Sequence, residues 1–213
     1  MSLKRCRRDY GIQAMVAGSE GKTSRELCES YGVGYIETPN KPISNKFIRA
    51  AQAAIVKYKP SHLLILGSDD FIDNSLIQTY SQLLDYDVIG MKDCYFYHTK
   101  SKEAAYWKGY TFPHRVGESI GMARMLSRKV YELLKGKLWA SNMNSGLDYT
   151  MMQRIKKVKG LKCITASITD VGIAVDIKGQ GNITGFDCYR GNMKSVSDEL
   201  FNTIPEFELI KEL

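Results

Sequence analysis

Between residues 12 and 91 short apolar runs alternate with stretches of helical periodicity, and this alternation restricts the fold more than any other property of the chain. Ile12 to Ala17 reads as a strand that ends in Gly18-Ser19-Glu20-Gly21. Thr23 to Tyr31 reads as a helix with Gly32 as its stop signal. Val33 to Thr38 is the next strand, closed by Pro39-Asn40. Ser44 to Tyr58 has Ser44 as a candidate N-cap and places Phe47, Ala50, Ala51 and Ala54 on one helical face; Pro60 follows its end. His62 to Gly67 carries the apolar run Leu63-Leu64-Ile65-Leu66, the pattern of a strand buried on both faces of a parallel sheet. Asn74 to Leu84 is helical and Asp87 to Met91 is a further strand. Strands and helices in this order predict an α/β fold with a mainly parallel sheet flanked by helices.

Past Met91 the pattern changes. Cys94 to Tyr110 is rich in Tyr, Phe and Lys and reads as extended or hairpin structure. Phe112 to Gly121 is a loop, Ala123 to Leu134 a helix, Trp139 to Gly146 irregular, and Leu147 to Lys157 a helix. Lys162 to Ile168 and Gly172 to Ile177 are late strands, and the stretch from Ser195 to Leu213 reads as a packed terminal helix. With 213 residues, no internal repeat and no clear linker, one domain over residues 1–213 is the simplest organisation.

Composition narrows the function classes. Hydrophobic residues at 44% and charged residues at 25% are ordinary for a globular chain, and no apolar run has the length of a membrane span. The basic opening, Lys4-Arg5 and Arg7-Arg8, has no apolar run behind it, so no secretory signal is read. The cysteines Cys6, Cys28, Cys94, Cys163 and Cys188 are far apart, which points to reduced thiols in a cytoplasmic protein rather than a disulfide framework or a zinc site. A net charge of +7 favours anionic partners, whether nucleotide diphosphates, nucleic acid or an acidic surface.

Ligands of open α/β sheets bind at the carboxyl ends of strands, and Ser68-Asp69-Asp70 stands behind the most apolar strand of the sequence. Adjacent carboxylates repel and lose hydration there. A divalent cation, Mn²⁺ or Mg²⁺, relieves both costs and is commonly shared with phosphate oxygens. The competing reading is that Asp69 and Asp70 cap the next helix together with Asp73 or Asn74.

The run Asn40-Lys41-Pro42-Ile43-Ser44-Asn45-Lys46-Phe47, the Ala-rich helix after it and Leu63-Leu64-Ile65-Leu66-Gly67-Ser68-Asp69-Asp70 together resemble family-2-like glycosyltransferases of the GT-A fold, over roughly residues 11 to 160. The resemblance implies a nucleotide-diphospho-sugar transferase fold and transfer of a sugar from a nucleotide-diphosphate sugar to an acceptor hydroxyl with inversion. The acceptor would be a glycan, a lipid-linked glycan or a modified nucleic acid. It assigns Asp70 to the metal, Asp69 to the metal or the ribose, and Ser68 to the position of the first acid. Gly18 and Ser19 match the turn facing the nucleotide, and Asn45 and Lys46 lie beside the motif strand, with Lys46 in reach of a phosphate. Asn144-Ser145-Gly146-Leu147-Asp148 resembles the later acidic motif, which makes Asp148 the general base. Arg115, Glu118 and Arg124 fall in or after the loop that would face the sugars, with Arg124 the candidate for a phosphate or a sugar hydroxyl. The first strand of the family pattern has no counterpart, because Leu3 to Arg8 reads as the helix that follows it.

Three features stay open at the level of sequence. Val175-Asp176-Ile177-Lys178 with Asn182-Ile183-Thr184 is either a third metal or phosphate contact or a salt-bridged turn. Gly18-Ser19-Glu20-Gly21-Lys22 is the one candidate for the phosphate loop of a sugar-nucleotidyltransferase. The positive charge also allows a non-enzymatic nucleic-acid or polyanion-binding module, with binding that falls steeply with salt.

Overall fold

A computed structural model describes residues 2–179, 182 and 184–212. Contacts divide the chain into two compact units: one formed by Leu64–Met125 and the segment from Cys163 onward, the other by Leu3–Leu63 and Leu126–Lys162.

The second of these units opens with helix α1 (Ser2–Tyr10), followed by β1 (Met15–Gly18), α2 (Lys22–Ser30), β2 (Gly34–Glu37) and α3 (Ile43–Tyr58). β1 and β2 pair in parallel, with Met15 opposite Gly34 and Gly18 opposite Glu37. The crossover helix α2 between them is the geometry that a parallel pair requires. Helices α5 (Arg128–Leu133) and α6 (Leu147–Ile155) complete the unit. Ser44 is not the N-cap of α3; Pro42 holds that place, and Ser44 is buried in the first turn. Its hydroxyl accepts from Met143 N at 3.0 Å while its own N–H donates to Met143 O at 2.9 Å.

Two further sheets are present among the described residues. Strands β4 (Asp70–Ile72), β6 (Cys94–His98), β7 (Glu103–Trp107), β10 (Ala174–Lys178) and β11 (Met193–Ser195) form a five-stranded sheet in the order β11-β7-β6-β10-β4. Strands β3 (His62–Ile65), β8 (Arg124–Ser127), β5 (Val88–Met91) and β9 (Cys163–Ala166) form a four-stranded sheet in that order. Helices α4 (Asn74–Ser81) and α7 (Ile168–Val171), the 3-10 segments Phe186–Asn192 and Asp198–Thr203, and α8 (Phe207–Lys211) surround them. The architecture is α/β with mixed sheets flanked by helices. Among the described residues no helix is long and apolar enough to cross a membrane.

Several expectations are corrected. The five-stranded sheet is mainly antiparallel: only β6–β10 is parallel, while β4–β10, β6–β7 and β7–β11 are antiparallel. The cause is local, since β6 and β7 are joined by a tight turn, with Lys102 at φ 56, and a turn this short can only reverse the chain. β3 is half-buried along its length rather than buried on both faces, because it is an edge strand of its sheet. Ala123 to Leu134 is not one helix: β8 comes first, and Ser127 then caps α5 by accepting from Val130 N at 3.4 Å. The terminal stretch is broken into β11, a 3-10 segment and α8.

Aromatic side chains divide the two faces of the five-stranded sheet. Strand alternation sends Tyr95 and Tyr97 to one face, where Tyr95 meets Phe201 at 5.7 Å and Tyr97 meets Phe207 at 4.9 Å. Cys94, Phe96 and His98 point to the other face. There Phe186 stacks on His98 at 4.9 Å and Tyr189 lies 4.7 Å from Phe96.

Candidate functional site

Asp73, not Asp69 or Asp70, caps α4: its carboxylate accepts from Ser75 N at 2.5 Å. Asp70 instead opens β4, and the antiparallel register sets it directly opposite Asp176 on β10. Residues directly opposed in a ladder share a face, and like charges so placed destabilise it. Lys178, two residues beyond Asp176, lies on the same face. Its Nζ donates to Asp176 Oδ2 at 2.7 Å, and Asp176 Oδ1 is buried without a hydrogen-bond partner among the described residues. Asp176 thus faces Asp70 across the ladder and pairs with Lys178 within β10 rather than in a turn. Ile183 lies outside the described residues.

Asp69 is held from the other side. Asn182 Nδ2 donates to Asp69 Oδ2 at 2.5 Å and to Ile177 O at 3.2 Å, while Ile177 N donates to Asp69 O at 2.9 Å. Asp70 Oδ2 accepts from Gly67 N at 2.6 Å. The carboxylates fold so closely over Gly67 that a Cβ there would lie 2.5 Å from Asp69 Oδ1, which is why a glycine precedes Ser68. Ser68 itself is exposed.

Electrostatics follow from this crowding. Removal from water, then the charge of Asp176, pushes the Asp70 pKa up to about 8, against the opposing Gly67 hydrogen bond. Burial pushes Asp176 up to about 6, with Lys178 pulling the other way. Burial lowers the Lys178 pKa, but the charge and hydrogen bond of Asp176 outweigh it and the net direction is up. Cys94, buried beneath the same face, is pushed well up by burial and by Asp176, so it stays a neutral thiol. Two opposed carboxylates with one oxygen unpartnered offer oxygen atoms of the kind that hard divalent cations take. Among the described residues no three His, Cys, Asp or Glu side chains are grouped to hold a metal. An ion here would take its remaining ligands from phosphates, as Mg²⁺ commonly does.

The remaining candidates belong to the other unit, apart from Arg115, Glu118 and Arg124. Gly18 ends β1, and a Cβ on it would lie 2.6 Å from the Tyr35 ring. Lys46, in the first turn of α3, donates to Ser19 Oγ and to Asn40 Oδ1, both at 2.9 Å. Ser19 in turn donates to Glu20 through its N–H at 2.9 Å and its hydroxyl at 2.8 Å. With a further donor from Ser24, these bonds, the Ser19 N–H first, hold Glu20 down at about 2. Asn45 Oδ1 accepts from Asn142 N at 3.5 Å, and Asn144 Oδ1 accepts from Ile43 N at 3.1 Å. The loop leading to Asp148 is thus stapled to the start of α3. Asp148 is half-buried in the first turn of α6.

Arg124 opens β8 and is 1% exposed, donating to Ser119 Oγ at 2.9 Å and Ser119 O at 2.5 Å. Arg115 pairs with Glu118 at 3.0 Å and lies 3.5 Å over the Tyr110 ring. These contacts are internal to the loop. Sequence reasoning missed the tie from Asn182 to Asp69 and the approach of Tyr189 to Lys178. The period-two alternation of Val175-Asp176-Ile177-Lys178 was the available signal that one face of β10 is charged.

No family model matches the chain, and no curated protein matches it. Among solved structures it is similar to A197 from STIV, at 14% identity and a TM-score of 0.41, over 73% of this chain and 82% of that one. A likeness at that level carries no inference about function.

Proposed function

We propose that the chain is a metal-dependent glycosyltransferase of GT-A type that moves a sugar from a nucleotide-diphosphate sugar to an acceptor hydroxyl with inversion, acting in the cytoplasm. The observation that carries this reading is the register of β4 on β10, which opposes Asp70 to Asp176 with Asp69 alongside and leaves Asp176 Oδ1 unpartnered. An isolated protein gains nothing from such an arrangement; a bound cation repays it. Bound Mn²⁺ or Mg²⁺ would neutralise the charge growing on the diphosphate as it leaves. Asp70 and Asp176 would hold the ion and Asn182 would fix Asp69 beside it; the role of general base proposed for Asp148 rests on the resemblance of its motif alone. The sugar-nucleotidyltransferase alternative loses support at Ser19, whose N–H and hydroxyl are already taken by Glu20 where a phosphate loop would offer them to the ligand. A glycan, a lipid-linked glycan or a modified nucleic acid remains the acceptor class, and the net charge of +7 suits an anionic one.

The test is thermal stabilisation by ADP, GDP, CDP and UDP, each with and without Mn²⁺, on the wild type and on Asp70→Asn. One nucleotide should stabilise the wild type only when Mn²⁺ is present, and Asp70→Asn should lose that response. Binding that ignores Mn²⁺ and disappears with added salt would instead support a polyanion-binding module.

A further inference from the structure

Lys178 is the most constrained cation near the acidic pair. The residue is 5% exposed. Its Nζ lies 2.7 Å from Asp176 Oδ2, 4.9 Å from the centre of the Phe96 ring and 5.5 Å from that of Tyr189. Aromatic faces attract an ammonium through their quadrupole but offer it no carboxylate to share. Asp176 is therefore the one anion that Lys178 hydrogen-bonds among the described residues. A divalent ion held by Asp70 and Asp176 needs that same carboxylate. Two cations competing for one anion cannot both keep it at full strength, and the divalent ion has the larger Coulomb attraction at equal distance.

We propose that Lys178 is an exchangeable counter-ion: a divalent cation displaces its ammonium from Asp176, and the released ammonium binds a phosphate of the diphosphate donor. This rests on the glycosyltransferase reading above and adds to it a division of labour. The carboxylates take the metal and Lys178 takes the phosphate. Ammonium suits that task, because lysine recognises phosphate as a compact charge on a flexible stem. The two ligands then help each other. Metal frees the phosphate contact, and phosphate keeps Lys178 from returning to Asp176, so the coupling is reciprocal.

The test uses the full chain, Mn²⁺ alone and the nucleoside diphosphate that responds best among ADP, GDP, CDP and UDP. Free Mn²⁺ is counted by electron paramagnetic resonance and nucleotide binding is measured by calorimetry. In Lys178→Met the competitor of the metal is gone and so is the phosphate contact. Mn²⁺ alone should bind about tenfold tighter, while the diphosphate at saturating Mn²⁺ should bind about tenfold weaker. Asp176→Asn removes the charge that holds Lys178 and leaves only a neutral acceptor, so Mn²⁺ should bind more weakly while the metal-free diphosphate binds several-fold tighter, the reverse pattern. Melting curves on both variants check that each is folded, and either variant alone decides the matter. Affinities for metal and diphosphate that fall together in Lys178→Met, or a metal-free diphosphate affinity that does not rise in Asp176→Asn, would overturn the exchange while leaving the enzyme reading in place. A wild-type protein that binds neither Mn²⁺ nor any of the four diphosphates would remove that reading, and this inference with it.

Discussion

Asp93 and Asp176 are carboxylates of the same unit with opposite surroundings. Asp93, 1% exposed, accepts from Tyr106 OH at 2.7 Å, Ser167 OH at 2.8 Å and Ile168 N at 2.6 Å. Three donors from β7 and the start of α7 surround it. Asp176 has Lys178 on one oxygen, no partner on the other among the described residues, and Asp70 across the strand pair. A buried carboxylate that is fully hydrogen-bonded fixes the elements that donate to it. One that is left half-satisfied and faces its own kind is a cost to the isolated fold, retained where a ligand removes it. The difference supports the proposed role of Asp176 without reference to any family.

Removing each acid should therefore act in opposite directions, and the largest effect belongs to Asp93. Asp93→Ala leaves one buried and two part-buried donors without their acceptor and should destabilise the protein by about 2–4 kcal/mol, read from urea unfolding, with the Mn²⁺ response of the folded fraction retained. Asp70→Asn keeps an oxygen for the Gly67 N–H and removes the repulsion. It should stabilise the metal-free protein by roughly 2 kcal/mol at pH 8 while abolishing stabilisation by Mn²⁺. If Asp70→Asn destabilised the protein as Asp93→Ala does, the two acids would be of one kind and the contrast would fail.

The pH dependence sharpens the same contrast. Asp70 and Asp176 have folded pKa values raised to about 8 and about 6, above the roughly 4 of an unfolded aspartate. The folded state then binds more protons than the unfolded state between pH 4 and 8, so stability falls as pH rises through that window. The contribution of these groups is fully present below the unfolded value and is lost by about pH 8. Saturating Mn²⁺ should reverse the slope, because a metal binds the deprotonated carboxylates. Unfolding measured at intervals across this window should show less decline in Asp70→Asn than in the wild type; equal declines would place the titrating group elsewhere.

The sequence made parts of this contrast legible and concealed others. The apolar run Leu63 to Leu66 announced β3, although that strand ends at Ile65 and Asp70 opens β4 instead of closing it, and the spacing of Leu147, Met151 and Ile155 announced α6. Both are local signals that survive folding. The opposition of Asp70 to Asp176 depends on the pairing of two strands more than a hundred residues apart, and the period of one strand does not say which distant strand lies beside it. The same limit hid Asp93, whose donors come from positions 106, 167 and 168. The expected parallel sheet failed for a related reason: apolar runs reveal strands but not their neighbours, and the tight β6–β7 turn decided the direction.

Two smaller substitutions probe how Asp69 differs from both acids. Gly67→Ala brings a Cβ to 2.5 Å from Asp69 Oδ1, and the carboxylate must shift; the expected loss is about 1–2 kcal/mol, with weaker Mn²⁺ binding. Asn182→Ala removes the one side-chain donor that Asp69 receives among the described residues, at about 1 kcal/mol. Asp69 is intermediate between the others: it is anchored by a donor, as Asp93 is, yet it lies beside the acidic pair. If its anchor serves ligand binding, Asn182→Ala should change Mn²⁺ affinity by more than that modest stability loss suggests. Equal, small changes in both would make Asn182 a turn residue that happens to touch Asp69, since its Oδ1 also accepts from Gly179 N at 2.5 Å. Asn182→Asp separates the two roles: it keeps the acceptor for Gly179 N while replacing the donor to Asp69 with a charge of the same sign.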